Sequence, residues 1–102
     1  MKYLFLIFLS LPCHATGLIN QISTSATITS TQILPDNPIR KYLIIENLGS
    51  TTIIAKFGSI QSGSEGIQIP AGGNYEPYSA PTESLWIKSA SSTDSMMVLE
   101  GI

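Results

Sequence analysis

Histidine and cysteine are almost missing from this chain of 102 residues: it holds one of each, Cys13 and His14, side by side near the N-terminus. A single cysteine cannot close an internal disulfide. Zinc and copper sites lean on His and Cys, so a centre of that kind has no donor set. Calcium needs clustered carboxylates and carbonyls, and there is no Asp-rich loop. The same scarcity weighs against catalysis. A nucleophile needs a base and a group that orients the base. Serines abound, and Lys41, Lys56 or Lys88 could stand beside one, but no serine lies in a motif that suggests it. Paired carboxylates could support glycosidase chemistry, yet most of the seven acids fall in turns or at strand ends. Glu46 and Glu100 are embedded in strands, where an outward-facing position accounts for both. Gly58 to Gly63 lacks the Lys and the following helix of a phosphate-binding loop. The expectation is a protein that is not an enzyme and uses no cofactor or metal.

Charge is scarce as well. Charged residues make up 12% of the chain, about half the usual share, and Ser, Thr, Asn and Gln stand in their place. Such a surface suits an extracellular module, or a subunit packed against neighbours, better than a free cytosolic enzyme. Arg40-Lys41 is the only adjacent basic pair. Phosphate contacts need clustered Lys and Arg, so nucleic acid is not an expected partner. A chain of this length forms one domain with one modest core.

The longest apolar run lies at the start. Met1-Lys2 gives a brief positive charge, Tyr3 to Leu11 is apolar apart from Ser10, and Pro12 breaks the run. Cys13-His14-Ala15 then sets small residues where a signal peptidase reads, with Thr16 as the new N-terminus. The division expected is therefore a leader over 1–15 and a β domain over 16–102. The run is well short of the roughly 20 residues of a spanning helix, which favours export. The other reading is a retained leader touching a membrane through Tyr3 to Leu11. A lipoprotein signal fits poorly, because Pro12 and Ser10 occupy positions where a small residue and Leu belong. Cleavage would remove both Cys13 and His14 and leave four basic residues against seven acidic ones.

After the leader no segment shows helical periodicity. Short runs rich in Ile, Thr, Val and aromatics recur instead, separated by Gly and Pro turns, the pattern of an antiparallel sandwich or small barrel. Ser25 to Leu34 reads as a first strand, bulged because Ile28 and Ile33 fall on opposite parities. Pro35-Asp36-Asn37-Pro38 is a turn. Tyr42 to Asn47 is apolar on both parities, as in a central or doubly covered strand. Leu48 to Thr51 reads as a hairpin connection and Thr52 to Phe57 as the returning strand, with Ile53, Ala55 and Phe57 on one face and Ile54 and Lys56 on the other. Gly58 to Gly66 is loop. Ile67 to Ile69 is a short strand, Pro70 to Gly73 a tight turn, and Asn74 to Tyr78 an edge strand because it carries Pro77. Leu85 and Ile87 share one face of a further strand, Trp86 and Lys88 the other. Ala90 to Ser95 is a polar loop, and Met96 to Glu100 closes the domain. The fold class expected is all-β, a small jelly-roll-like sandwich of about six or seven strands in two antiparallel sheets.

Tyr75, Tyr78 and Trp86 lie within a dozen residues and are the candidate interaction residues, since clustered aromatics can line a binding surface. Core packing is an equal reading for Trp86. Tyr42, Ile44 and Ile54 add apolar side chains on faces turned away from the main core.

From Ile33 onward the pieces fall into a familiar order. Asn37-Pro38-Ile39-Arg40-Lys41-Tyr42-Leu43-Ile44-Ile45-Glu46-Asn47 resembles an Asn-Pro-x-Arg-x-x-Leu-x-Ile-x-Asn strand found in many small bacteriophage structural proteins. In those a strand ending in Phe-Gly follows, here Phe57-Gly58. Then come an apolar strand, a Pro-x-Gly-Gly turn and an aromatic or acidic strand, matched by Gly66 to Ile69, Pro70 to Gly73 and Tyr75-Glu76. Leu85-Trp86-Ile87 and a final Glu100-Gly101 complete the match over residues 25 to 102. The resemblance implies a virion β-sandwich module, a capsid-associated, decoration, spike or fibre component. Such a module works by contact with other virion subunits, without catalysis. Beside the resemblance, a domain this small, with few charges and no disulfide, gains stability from symmetric assembly, so a homo-oligomer, a trimer or larger, is expected. One feature departs from that family: tailed phages assemble in the cytoplasm, where a signal peptide has no use. A secreted or periplasmic binding module, with glycan as ligand, is the second reading.

Overall fold

The computed structural model describes residues 18–102. The leader expected over 1–15, its cleavage after Ala15 and the membrane contact through Tyr3 to Leu11 all lie outside the described residues. Eight strands follow in order: β1 Ile19–Ala26, β2 Thr31–Leu34, β3 Tyr42–Asn47, β4 Ile53–Phe57, β5 Ile67–Ile69, β6 Asn74–Tyr75, β7 Leu85–Ser89 and β8 Asp94–Gly101. They form two four-stranded sheets, β1-β8-β3-β6 and β2-β7-β4-β5. The first strand pairs with the last, the second with the seventh, the third with the sixth and the fourth with the fifth, all antiparallel. A long hairpin rolled up on itself gives this order, which is that of the jelly roll.

Each strand's alternation decides its place. In β3, Leu43, Ile45 and Asn47 are buried while Tyr42, Ile44 and Glu46 point out. In β7, Leu85, Ile87 and Ser89 are buried while Trp86 and Lys88 are outward. The core is the inner face of both sheets, filled by Leu34, Leu43, Ile45, Ile53, Ala55, Ile69, Leu85, Ile87, Met96 and Val98. Burying each of the larger of these contributes about 2 kcal/mol relative to leaving it in water. Pro70 to Gly73 forms the tight turn that its sequence implies. Gly73 N–H donates to the Pro70 carbonyl at 2.9 Å, and Gly72 sits at φ +76°, the left-handed position that a type II turn reserves for glycine.

The structure departs from the sequence reading in five places, one being the edge strand expected over Asn74 to Tyr78, which ends at Tyr75. The strand count is eight: β1, Ile19–Ala26, lies almost wholly before the first strand expected over Ser25 to Leu34, and only Thr31–Leu34 of that stretch is β2. The chain turns at Thr27 to Ser30, where Thr29 N–H donates to Thr27 Oγ1 at 3.3 Å and Thr31 Oγ1 donates to the Thr29 carbonyl at 3.0 Å. Such hydroxyl–backbone bonds compete with a ladder, and the chain changes sheet there. Leu48 to Thr51 is not a hairpin, because β3 and β4 belong to different sheets. Asp94 is not in a loop but opens β8, with its side chain buried. Glu100 does not face outward: it is 7% exposed, on the inner face with Met96 and Val98.

Candidate functional site

The two outer faces of the sandwich differ in what covers them. On the β2-β7-β4-β5 sheet, direct pairing puts Gln32, Trp86 and Lys56 in one outward row and Lys88, Ile54 and Gln68 in another. The Gly58 to Gly66 loop is laid across this face. Gln61 Nε2 donates to the Ile54 carbonyl at 2.8 Å, Gln61 N–H donates to Ser30 Oγ at 3.1 Å, and Lys88 Nζ donates to the Gly63 carbonyl at 3.1 Å. Lys56 Nζ pairs with Glu65 at 3.2 Å. Glu65 also accepts from the backbone N–H groups of Ser62 and Gly63 at 3.1 and 2.9 Å. The Ser62 N–H first, then the backbone N–H of Glu65 itself, Lys56 and the Ser62 hydroxyl, hold its pKa down to about 2. Ile54 is only 4% exposed as a result. It does point away from the main core, but the chain's own loop covers it.

The outer face of the β1-β8-β3-β6 sheet has no such cover among the described residues. Met97 lies directly beside Glu46, Leu99 beside Ile44, and Gly101 between Ile19 and Tyr42. Ile44, Met97 and Leu99 are half-buried; Ile19 and Tyr42 are exposed. The Glu76 carboxylate beside the Tyr42 hydroxyl accepts its hydrogen bond and raises its pKa. Glu46 is the one charge among these outward positions of β3 and β8.

The three candidate aromatics occupy separate surroundings. Tyr75, on β6, pairs with the inward Ile45 and packs half-buried against the core. Trp86 is half-buried on the outer face of the other sheet, where its indole Nε1 donates to Ser84 Oγ at 3.1 Å. Tyr78 lies in the loop after β6 and is fully exposed. A layer of core separates Tyr75 from the face that carries Trp86, so those two are not brought onto one surface.

Two buried polar hubs, unexpected from the sequence, tie the ends of the sandwich. Both sit on the inner face of β8, where Asp94 and Glu100 bracket Met96 and Val98. At one end Arg40 Nε donates to Glu100 at 2.7 Å. Its Nη1 donates to the carbonyls of Pro81 and Glu83 at 2.6 and 2.9 Å, and its Nη2 to that of Pro35 at 2.9 Å. Asn37 Nδ2 adds a bond to Glu100 at 3.1 Å. At the other end Asp94 Oδ1 accepts from Ser50 and Thr51 N–H at 2.9 and 3.0 Å. Its Oδ2 accepts from Ser89 Oγ at 2.7 Å and from the Thr51 hydroxyl. Asn47 completes this end, donating to the Thr51 and Ile69 carbonyls at 2.7 and 3.0 Å. Alternation held the available signal for Glu100, two residues beyond a core valine. Arg40 had only its fixed place in the Asn-Pro-x-Arg phrase, because its partners lie up to sixty residues away.

Burial pushes the Glu100 carboxyl up in pKa, but Arg40 and Asn37 outweigh that and leave it lowered. Asp94 is lowered too, first by the Thr51 hydroxyl. Between the folded and unfolded pKa values the unfolded chain binds more protons, so stability rises with pH there. We predict a urea midpoint that is flat from pH 7 down to about pH 5 and falls steadily below about pH 4.5. Asp94→Asn should remove its share of that acid slope.

Among the described residues, no group of three or more His, Cys, Asp or Glu side chains could hold a metal ion. No helix of the described residues is long and apolar enough to cross a membrane. No family model matches the chain, and no curated protein matches it. Among solved structures, one from work reporting that Bacillus endospore appendages form a novel family of disulfide-linked pili is similar, at 19% identity and a TM-score of 0.45, over 91% of this chain and 97% of that one. A likeness that distant carries neither an activity nor a partner to this chain.

Proposed function

We propose that this protein is a non-enzymatic structural subunit of an extracellular or surface-exposed assembly, working through contacts between subunits. We assign that assembly to a bacteriophage virion, with the chain in a capsid-associated, decoration, spike or fibre position. The observation that carries the reading is the asymmetry of the outer faces. One sheet is covered by the chain's own loop. The other presents Ile19, Tyr42, Ile44, Met97 and Leu99 with a single carboxylate among the outward residues of β3 and β8. An apolar strip of that kind, rimmed by Ser and Gln, marks a contact surface. The jelly-roll order supports the virion assignment by fold-level analogy, since viral capsid domains use it.

The variants Ile44→Glu and Leu99→Glu test this. Both positions are half-exposed, so folding should survive with a loss of about 1 kcal/mol or less. A charge in the centre of a contact costs about 2 kcal/mol or more of association, roughly a 30-fold loss. The expected result is a folded subunit missing from the sedimenting particle fraction. Incorporation equal to that of the unaltered chain would exclude this face as the contact.

Tyr78 supports a second reading, a secreted or periplasmic binding module for glycan. A fully exposed tyrosine offers a stacking surface by itself, because Tyr75 and Trp86 lie on opposite sheets and do not line one site with it. Under that reading Tyr78→Ala abolishes retention on a glycan array while leaving the melting curve unchanged.

A further inference from the structure

Four strand edges bound the two sheets: β1 and β6 on one, β2 and β5 on the other. An open edge presents unpaired N–H and C=O groups that recruit another strand, and proteins blunt such edges with shortness, charge, proline or bulges. Three of the four are blunted here. β6 has two residues with Pro77 close behind, β5 has three, and β2 has four with a register shift between Gln32 and Leu34. β1 is the exception. Its eight residues, Ile-Asn-Gln-Ile-Ser-Thr-Ser-Ala, carry no charge and no proline. They run in unbroken register against β8, from Ile19 opposite Gly101 to Ala26 opposite Asp94.

The ladder fixes which backbone groups are free. Ile102 N–H donates to the Leu18 carbonyl at 3.0 Å, which turns Leu18 toward β8. Antiparallel pairing alternates residue by residue, so the N–H and C=O groups of Ile19, Gln21, Ser23 and Ser25 point to the open edge. No described strand lies along it.

We infer that the open edge of β1 is a homotypic docking site: β1 of a second copy pairs with it, antiparallel, across a two-fold axis at Ile22. This deepens the subunit reading above, on which it rests, by naming the contact between copies. Of the registers the free groups allow, this one pairs those of all four residues on each copy. Ile19 meets Ser25 and Gln21 meets Ser23 as hydrogen-bonded pairs, Asn20 meets Thr24, and Ile22 meets Ile22 on the axis. Polar side chains face polar ones, and no charge is opposed to a like charge. A head-to-tail contact would need a second open edge of similar length, and the described strands offer none. A two-fold contact needs only this one, used twice. The product is one continuous eight-stranded sheet that presents the apolar outer faces of both copies side by side.

The test uses two charged variants of the full chain, Gln21→Lys/Ser23→Lys and Gln21→Glu/Ser23→Glu. In this register each sets like charges directly opposite one another, and a mixture of the two sets opposite charges there. Analytical ultracentrifugation over a concentration series should show the unaltered chain doubling its mass, each variant remaining monomeric and the equimolar mixture recovering the dimer. A monomeric unaltered chain, variants that dimerise as well alone, or a mixture that stays monomeric would overturn the pairing. Hydrogen exchange on the unaltered chain needs no substitution: the amides of Gln21 and Ser23 should slow as concentration rises, and unchanged exchange would overturn it. Charged variants that enter particles normally would sink the edge contact alone, whereas failure of the unaltered chain to enter particles would sink the parent reading.

Discussion

Arg40→Met should destabilise the domain by about 3–5 kcal/mol, because removing one partner of a buried ion pair strands the other. The side chain of Arg40 is fully buried and that of Glu100 nearly so. The loss reaches beyond the pair, since the guanidinium also holds the carbonyls of Pro35, Pro81 and Glu83. Small domains have a total stability of about 5–15 kcal/mol, so the urea midpoint should fall by about a fifth or more. Arg40→Lys will not rescue it. One ammonium cannot reproduce a planar fork aimed at four acceptors, and a loss of about 2 kcal/mol should remain. The double change Arg40→Met/Glu100→Met separates the two contributions. Removing both charges should recover part of the single variant's loss. A double variant that is less stable than Arg40→Met would contradict the stranded-carboxylate argument.

Asp94→Ala is expected to cost about 2–4 kcal/mol, as it leaves two backbone N–H groups and two hydroxyls at the other end of the sandwich without their acceptor. Asp94→Asn keeps the shape and one carbonyl oxygen for the N–H groups of Ser50 and Thr51, while the hydroxyls of Thr51 and Ser89 can rotate to accept from its amide. Its cost should be about half as large. Gly49 is coupled to this site. A Cβ there would overlap the Asp94 carboxylate and the Asp94 Cβ alike, so Gly49→Ala should destabilise the native chain and do much less harm in an Asp94→Gly background, which removes both. Denaturant unfolding of the four proteins measures the coupling, and additive effects would exclude the overlap as its cause.

How much of this was legible follows from range. Alternation within a strand is local, and on β7 it separated Leu85 and Ile87, which are buried, from Trp86 and Lys88; β3 is apolar on both parities, so alternation left its inner face open. The Asn-Pro-x-Arg-x-x-Leu-x-Ile-x-Asn phrase acquires a physical meaning in the fold. Arg40, Leu43, Ile45 and Asn47 are all buried, and Asn37 reaches the same carboxylate as Arg40. The misread features are those decided by distant chain. Ile54 looks outward by parity, and only a loop returning from residue 61 covers it. Asp94 looks like loop because its four donors come from residues 50, 51 and 89. The jelly-roll order is likewise invisible to local pattern, since β4–β5 is the only pair of consecutive strands that share a sheet. The candidate aromatics were grouped by nearness in sequence, and crossing between sheets after β6 is what separates Tyr75 from Trp86.

The central claim is that this chain is a subunit of a particle. Peptide mass spectrometry of density-purified, nuclease-treated particles from the source culture tests it most directly. The account predicts peptides of this chain at an abundance stoichiometric with other structural components, and the N-terminal peptide, beginning at Thr16 or at Met1, reports whether the leader is removed. Finding the chain only in the soluble periplasmic or medium fraction would contradict the account.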